Sequence, residues 1–150
     1  QKASKKSSNK LAKELFRQLA NEEDVHRKKV VEIYEAFKRG QNWPDVEPPS
    51  EKGKRIKSLF AEATKTLSSR FQVAESEFEA IKIAMDMEVK SYNLYHSRSE
   101  ESTLPVEKRF YKTLAGEERG HHLALLDSYE YLSDPAGWFT KKEHWSLDGA

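Results

Sequence analysis

Apolar residues return every three or four positions along three long stretches of the chain, the spacing of one buried face on an α-helix. In the first, about Leu11 to Lys38, the stripe is Leu15, Leu19, Val30, Ile33 and Phe37. In the second, Glu75 to about Ser99, it is Ile81, Ala84, Met85, Tyr92 and Tyr95. In the third, about Val106 to Leu132, it is Phe110, Leu114, Leu125, Tyr129 and Leu132. A shorter stretch from about Lys54 to Arg70 carries Ile56, Leu59, Phe60, Ala63 and Leu67 and reads as a cover or linker helix. The chain is therefore all-α.

The boundaries follow from local chemistry. Asn9 suits an N-cap, and Gly40 a helix stop. Ser76 with Glu79 has the spacing of a capping box. Pro44, Pro48 and Pro49 exclude a continuous helix between Gly40 and Gly53, and Trp43 is expected to anchor that connector to the bundle. Pro105 lies in the turn from Ser99 to Glu107. Helical pattern stops at Asp134 and Pro135. Trp138, Phe139 and Trp145 are too many aromatics for a disordered tail, and are expected to cover an end of the bundle or enter a subunit interface.

Polar residues interrupt the stripes at particular places. Glu88 sits in the centre of the second, and Glu118 and His121 fall inside the third. His26 lies in the middle of the first. Glu62 lies well off its own stripe, and Glu117 falls towards the edge of the third. A carboxylate on a buried face is costly unless paired or metal-bound.

Two of these stretches are copies of each other. LANEEDVHRKKVV and LAGEERGHHLALL align without a gap at an offset of 95 residues. Leu19 matches Leu114, Glu23 matches Glu118 and His26 matches His121. The wheel alone does not choose between Glu22 and Glu23; the repeat selects Glu23. Residues three apart share a helix face, so each Glu-x-x-His presents a carboxylate and an imidazole to one point. Two such helices facing each other present a site for two metal ions. The structural alternative is a buried Glu–His ion pair used twice. Tyr92, Tyr95, Met85 and Met87 read as packing, His122 as supporting, and His96 and His144 as surface residues.

Composition narrows the function. The chain has 150 residues, 34% of them charged, with a formal net charge of +1 and no cysteine. That balance gives no electrostatic case for nucleic acid or an anionic membrane as partner. Without cysteine there is no disulfide and no Cys-ligated iron or zinc centre. No apolar run approaches the roughly 18 residues of a membrane span. Gln1 to Lys10 has no apolar core and does not read as a signal peptide. A cytoplasmic protein is expected.

LFRQLANEEDVHRKKVVEIYEAF, AIKIAMDMEVKSYNLY and FYKTLAGEERGHHLALLDSYEYL together resemble the rubrerythrin branch of the ferritin-like superfamily. The tail DPAGWFTKKEHWSLDGA is similar to the tails of short, rubredoxin-lacking members. The resemblance implies a single ferritin-like four-helix bundle with a non-haem di-iron centre. Carried over residue by residue, Glu23 and Glu118 would bridge the metals, His26 and His121 would each cap one ion, and Glu88 would be a terminal ligand. It implies two iron ions, with manganese or a mixed pair as the alternative; carboxylate and imidazole donors suit iron or manganese more than a soft-ligand metal. Rubrerythrins proper carry a Cys-rich iron module that these residues lack, so an external electron donor such as a rubredoxin-like protein is expected.

The first reading of function is a peroxide-reducing or ferroxidase-type oxidoreductase. A metal-handling protein without turnover is the second, and a metal-free helical scaffold the third. The family pattern also begins with a helix carrying its own Glu, and no such helix is found ahead of Leu11. Either an upstream segment or a second subunit is expected to supply it; a homodimer is expected, and helix exchange is the low-cost route by which a second subunit would do so.

Overall fold

The structure, a computed structural model, describes residues 10–44, 75–138 and 140. Asn9, the stretch from Lys54 to Arg70 with its Glu62, and Phe139, His144 and Trp145 lie outside them. Three long helices make up the described fold: α1, Lys10–Lys38; α2, Glu75–Glu101; and α3, Pro105–Ser133. No strand occurs among the described residues.

Helix α1 ends as its sequence dictates. Gly40 adopts φ 70°, open to glycine and strained for other residues. Its N–H meets Phe37 O at 2.9 Å, and Gln41 N–H meets Ala36 O at 3.1 Å. This pair of bonds is the Schellman closure of a helix C-terminus. Trp43 then lies edge-on against Phe37, Phe110 and Tyr111, with ring centroids 5.6–5.9 Å apart, so the connector's start is pinned to the bundle.

Only residues 102–104 separate α2 from α3. Two long helices joined this tightly run antiparallel, and their backbones stay close along much of their length. Pro105 is the first helical residue of α3, where its missing N–H costs nothing. The capping box at α2 does not form: Ser76 is already helical, and the Glu79 carboxylate turns to Lys82 Nζ at 3.0 Å. At the other end of α3, Asp134 Oδ1 accepts from Gly137 N–H at 3.0 Å. This bend returns Trp138 onto Tyr131, with ring centroids 5.5 Å apart.

The main core joins all three helices through Leu11, Leu15, Leu19, Ile81, Leu125 and Leu132. A second, smaller cluster unites Ile33, Phe110 and Leu114. Two stripe positions depart from expectation: Val30 is 37% exposed and Phe37 48%. Trp43 meets Phe37 and Ile33 is buried, but among the described residues the rest of this C-terminal half of the stripe is only partly enclosed.

Candidate metal centre

Helix α3 is buried on more than one face because it packs against both α1 and α2. Glu118 and His121 are completely buried on it. His26 on α1 and Glu88 on α2 are buried too, at 2% and 7% exposure. Glu23 leaves 43% of its side chain exposed, yet its Oε1 is buried. The five residues singled out in the sequence thus come to one place from three helices.

The two imidazoles stack with centroids 5.6 Å apart and planes 14° from parallel. Both turn Nδ1 toward the same carboxylates. His26 Nδ1 lies 3.0 Å from Glu118 Oε1 and 3.5 Å from Glu23 Oε1. His121 Nδ1 lies 3.2 Å from Glu23 Oε1 and 3.8 Å from Glu118 Oε2. Glu23 and Glu118 therefore each stand between the two rings. Glu88 Oε2 joins only the His121 half, 3.5 Å from its Nδ1. Among the described residues, no carboxylate stands to His26 as Glu88 stands to His121.

The electrostatics follow from this crowding. Burial pushes the His26 imidazole down, but Glu118 and Glu23 outweigh it and hold the ring protonated, raised to about 9. His121 goes up in the same way, against its own burial, under the pull of Glu118, Glu22, Glu23 and Glu88. Burial raises Glu88, and the neighbouring Glu118 adds to that rise. Glu118 ends low despite its burial, because both imidazoles face it. Burial and the charges of Glu118 and Glu23 push the Tyr95 hydroxyl up to about 12.

Three inward atoms, Glu23 Oε1, Glu118 Oε2 and His121 Nδ1, are buried and make no hydrogen bond. Buried polar atoms without a hydrogen bond are costly unless a cation takes them up. One oxygen from each of Glu23, Glu88 and Glu118 and one nitrogen from His121 lie within 4.8 Å of one another. The cluster fits a hard or borderline metal ion held by carboxylate and imidazole.

Two further carboxylates stand at the centre: Glu22, which the wheel left open and the repeat set aside, and Glu117, which the wheel put at the edge of its stripe. Glu22 Oε2 accepts from His121 Nε2–H at 2.8 Å. Glu117, expected at the edge of the stripe, is 2% exposed; α3 has a buried surface wider than one stripe because it faces two helices. Glu22, Glu117 and His121 also bring donor atoms within 4.8 Å of one another. The signal was present in the repeat, since Glu22 matches Glu117 at the same offset as Glu23 matches Glu118.

Two cavities reach the cluster. One of about 240 Å³ lies between α2 and α3, lined by Glu88, Val89, Tyr92, Glu118, Arg119 and His122. His122 there approaches the Met85 carbonyl at 3.4 Å. The other, about 210 Å³, lies between α1 and α2, with Phe16, Leu19 and Met87 on its walls and Glu23 and Glu88 also lining it.

A family model described as Rubrerythrin matches residues 1–129. No curated protein and no solved structure matches significantly.

Proposed function

The chain belongs to the rubrerythrin family, a ferritin-like di-iron family, and from that premise we propose that it is a non-haem di-iron oxidoreductase that reduces peroxide or O₂. The observation that carries this reading is the shared use of Glu23 and Glu118 by two stacked imidazoles. A carboxylate-bridged iron pair, when bound, supplies two electrons to the oxidant. With hydrogen peroxide, two electrons and two protons yield two waters.

The protein's part is placement. Glu23 and Glu118 would bridge, His26 and His121 would each hold one ion through Nδ1, and Glu88 would close the His121 half. His26 and His121 would each have to give up the Nδ1 proton to hold an ion there. The cavity between α2 and α3, about 240 Å³ and lined by Glu88 and Glu118, has the volume to hold a small oxidant. The 150 residues contain no cysteine, so electrons would come from an external donor such as a rubredoxin-like protein.

The His26 half is one carboxylate short among the described residues. We assign the missing donor to a helix packed over the gap between α1 and α2, with one carboxylate reaching in beside Glu23. A second copy of the chain is the proposed source, because exchange of helices is a low-cost route to a dimer. No described helix is long and apolar enough to cross a membrane, and a cytoplasmic setting is part of the proposal.

Anaerobic loading with Fe(II), followed by stoichiometric peroxide, tests the reading. Oxidation of two irons per peroxide, with the protein re-reducible by a donor, is expected. Iron binding without peroxide-dependent oxidation would favour a handling protein for iron or manganese instead. No iron binding at all would leave only a helical scaffold.

A further inference from the structure

His121 makes contacts through both ring nitrogens, and the two contacts differ in kind. Its Nδ1 faces Glu23, Glu88 and Glu118 at 3.2–3.8 Å and makes no hydrogen bond. Its Nε2 makes one short, well-formed bond, 2.8 Å to Glu22 Oε2. The other oxygen of Glu22 is taken as well: Gln18 Nε2–H donates to Glu22 Oε1 at 3.1 Å. Gln18 and Glu22 lie one turn apart on α1, while His121 comes from α3. Burial pushes the Glu22 carboxyl up, but the bonds from His121 and Gln18 outweigh it and keep it ionised.

We propose that Glu22 is a positioning residue of the centre: it holds the Nε2–H of His121 from behind, so that Nδ1 is the nitrogen offered to metal, and it is not itself a ligand. This rests on the metal-centre reading above. A ligating imidazole whose far N–H is held by a carboxylate keeps one tautomer and one ring orientation and is a more basic donor. Gln18 fixes the carboxylate in turn. The described ion pairs of His26 all run through Nδ1, so Glu22 acts on one half of the centre.

The test uses the full 150-residue chain, titrated with Co(II) and followed by its visible absorption. Glu22→Ala is expected to weaken the tighter binding step, that of the four-donor His121 half, by about 10–100-fold. Glu22→Gln keeps an oxygen that accepts from Nε2–H and is expected to restore most of that affinity. In the Zn(II)-loaded protein, NMR should show a slowly exchanging His121 Nε2–H in wild type and Glu22→Gln, and its loss in Glu22→Ala. Wild-type affinity and a retained Nε2–H signal in Glu22→Ala would overturn the proposal. So would complete loss of one ion in both variants, which would make Glu22 a ligand. If Glu22→Ala does not fold, Gln18→Ala replaces it, with a smaller loss in the same direction supporting the assignment and no change opposing it. A wild-type chain that takes up no Co(II) would sink the metal-centre reading itself, whereas wild-type binding with an unaffected Glu22→Ala would sink the positioning role alone.

Discussion

His26 Nδ1–H donates to Glu118 Oε1 at 3.0 Å, joining α1 to α3 through two side chains that are almost wholly buried. The same carboxylate reaches towards His121 with its other oxygen. One glutamate therefore serves both imidazoles.

Replacing it should affect both. Glu118→Ala is expected to abolish metal binding at both positions, read by metal analysis after loading. In the metal-free protein it removes the shared partner of two buried, protonated rings. Breaking a buried pair in this way costs about 3–5 kcal/mol, seen as a lower urea midpoint with helical circular dichroism largely kept in the absence of denaturant. Retention of one full metal equivalent would contradict the bridging role.

Glu117→Ala separates the wheel from the structure. On the wheel Glu117 is an edge residue whose loss matters little; in the fold it is 2% exposed. A loss of about 1–3 kcal/mol is expected, against a change within ~0.5 kcal/mol for the exposed Asp86→Ala. Chemical denaturation of the two variants side by side decides between the readings.

The protonated His26 makes the metal-free protein sensitive to base. Its folded value of about 9 lies above the ordinary 6.5. Its stabilising contribution is thus complete below pH 6.5 and is lost as pH rises through 9. The loss from this group is on the order of 3 kcal/mol, read as a falling urea midpoint between pH 6 and pH 9.5. Metal uptake should run the other way and tighten over the same range, because the proton and the metal compete for Nδ1. A urea midpoint that rises with pH would refute the pairing.

The one-sided placement of Glu88 predicts unequal halves. A monomer should hold one ion well, and a second ion should accompany association of two chains. Light scattering with parallel metal analysis tests this. A monomer of these 150 residues carrying two ions at full occupancy would show that the missing carboxylate comes from elsewhere in the chain.

How much of this was legible follows residue by residue. The three helices were, because stripes such as Leu15–Leu19 and Ile81–Met85 have an unambiguous period and Gly40 and Pro105 punctuate them. Glu88, Glu118 and His121 were, because a polar residue inside an apolar stripe is conspicuous. Glu23 needed the repeat. Glu22 was set aside by choosing a single carboxylate from the repeat, although Glu22 and Glu23 both serve His121, and Glu117 was missed because a wheel describes one face while α3 packs on two helices. Phe37 and Val30 failed for the opposite reason. They satisfy the period, but among the described residues the packing around them, Trp43 against Phe37 included, leaves both more than a third exposed.

The three-residue joint at residues 102–104 has a further consequence for how the molecule opens. Helices α2 and α3 can pair at small loop-closure cost, whereas the His26–Glu118 bond closes a span of 92 residues. The α2–α3 hairpin is then the most persistent cooperative unit, and α1 the one that detaches first. A cation shared by Glu23 and Glu118 would act as a reversible cross-link between α1 and that hairpin. It would bind the docked form more tightly, because Glu23 and His26 come only from α1, and would raise the free energy of detachment as its concentration rises above its dissociation constant. Amide hydrogens of α1 would slow their exchange on metal loading far more than those of α2, making α1 a gauge of how full the centre is.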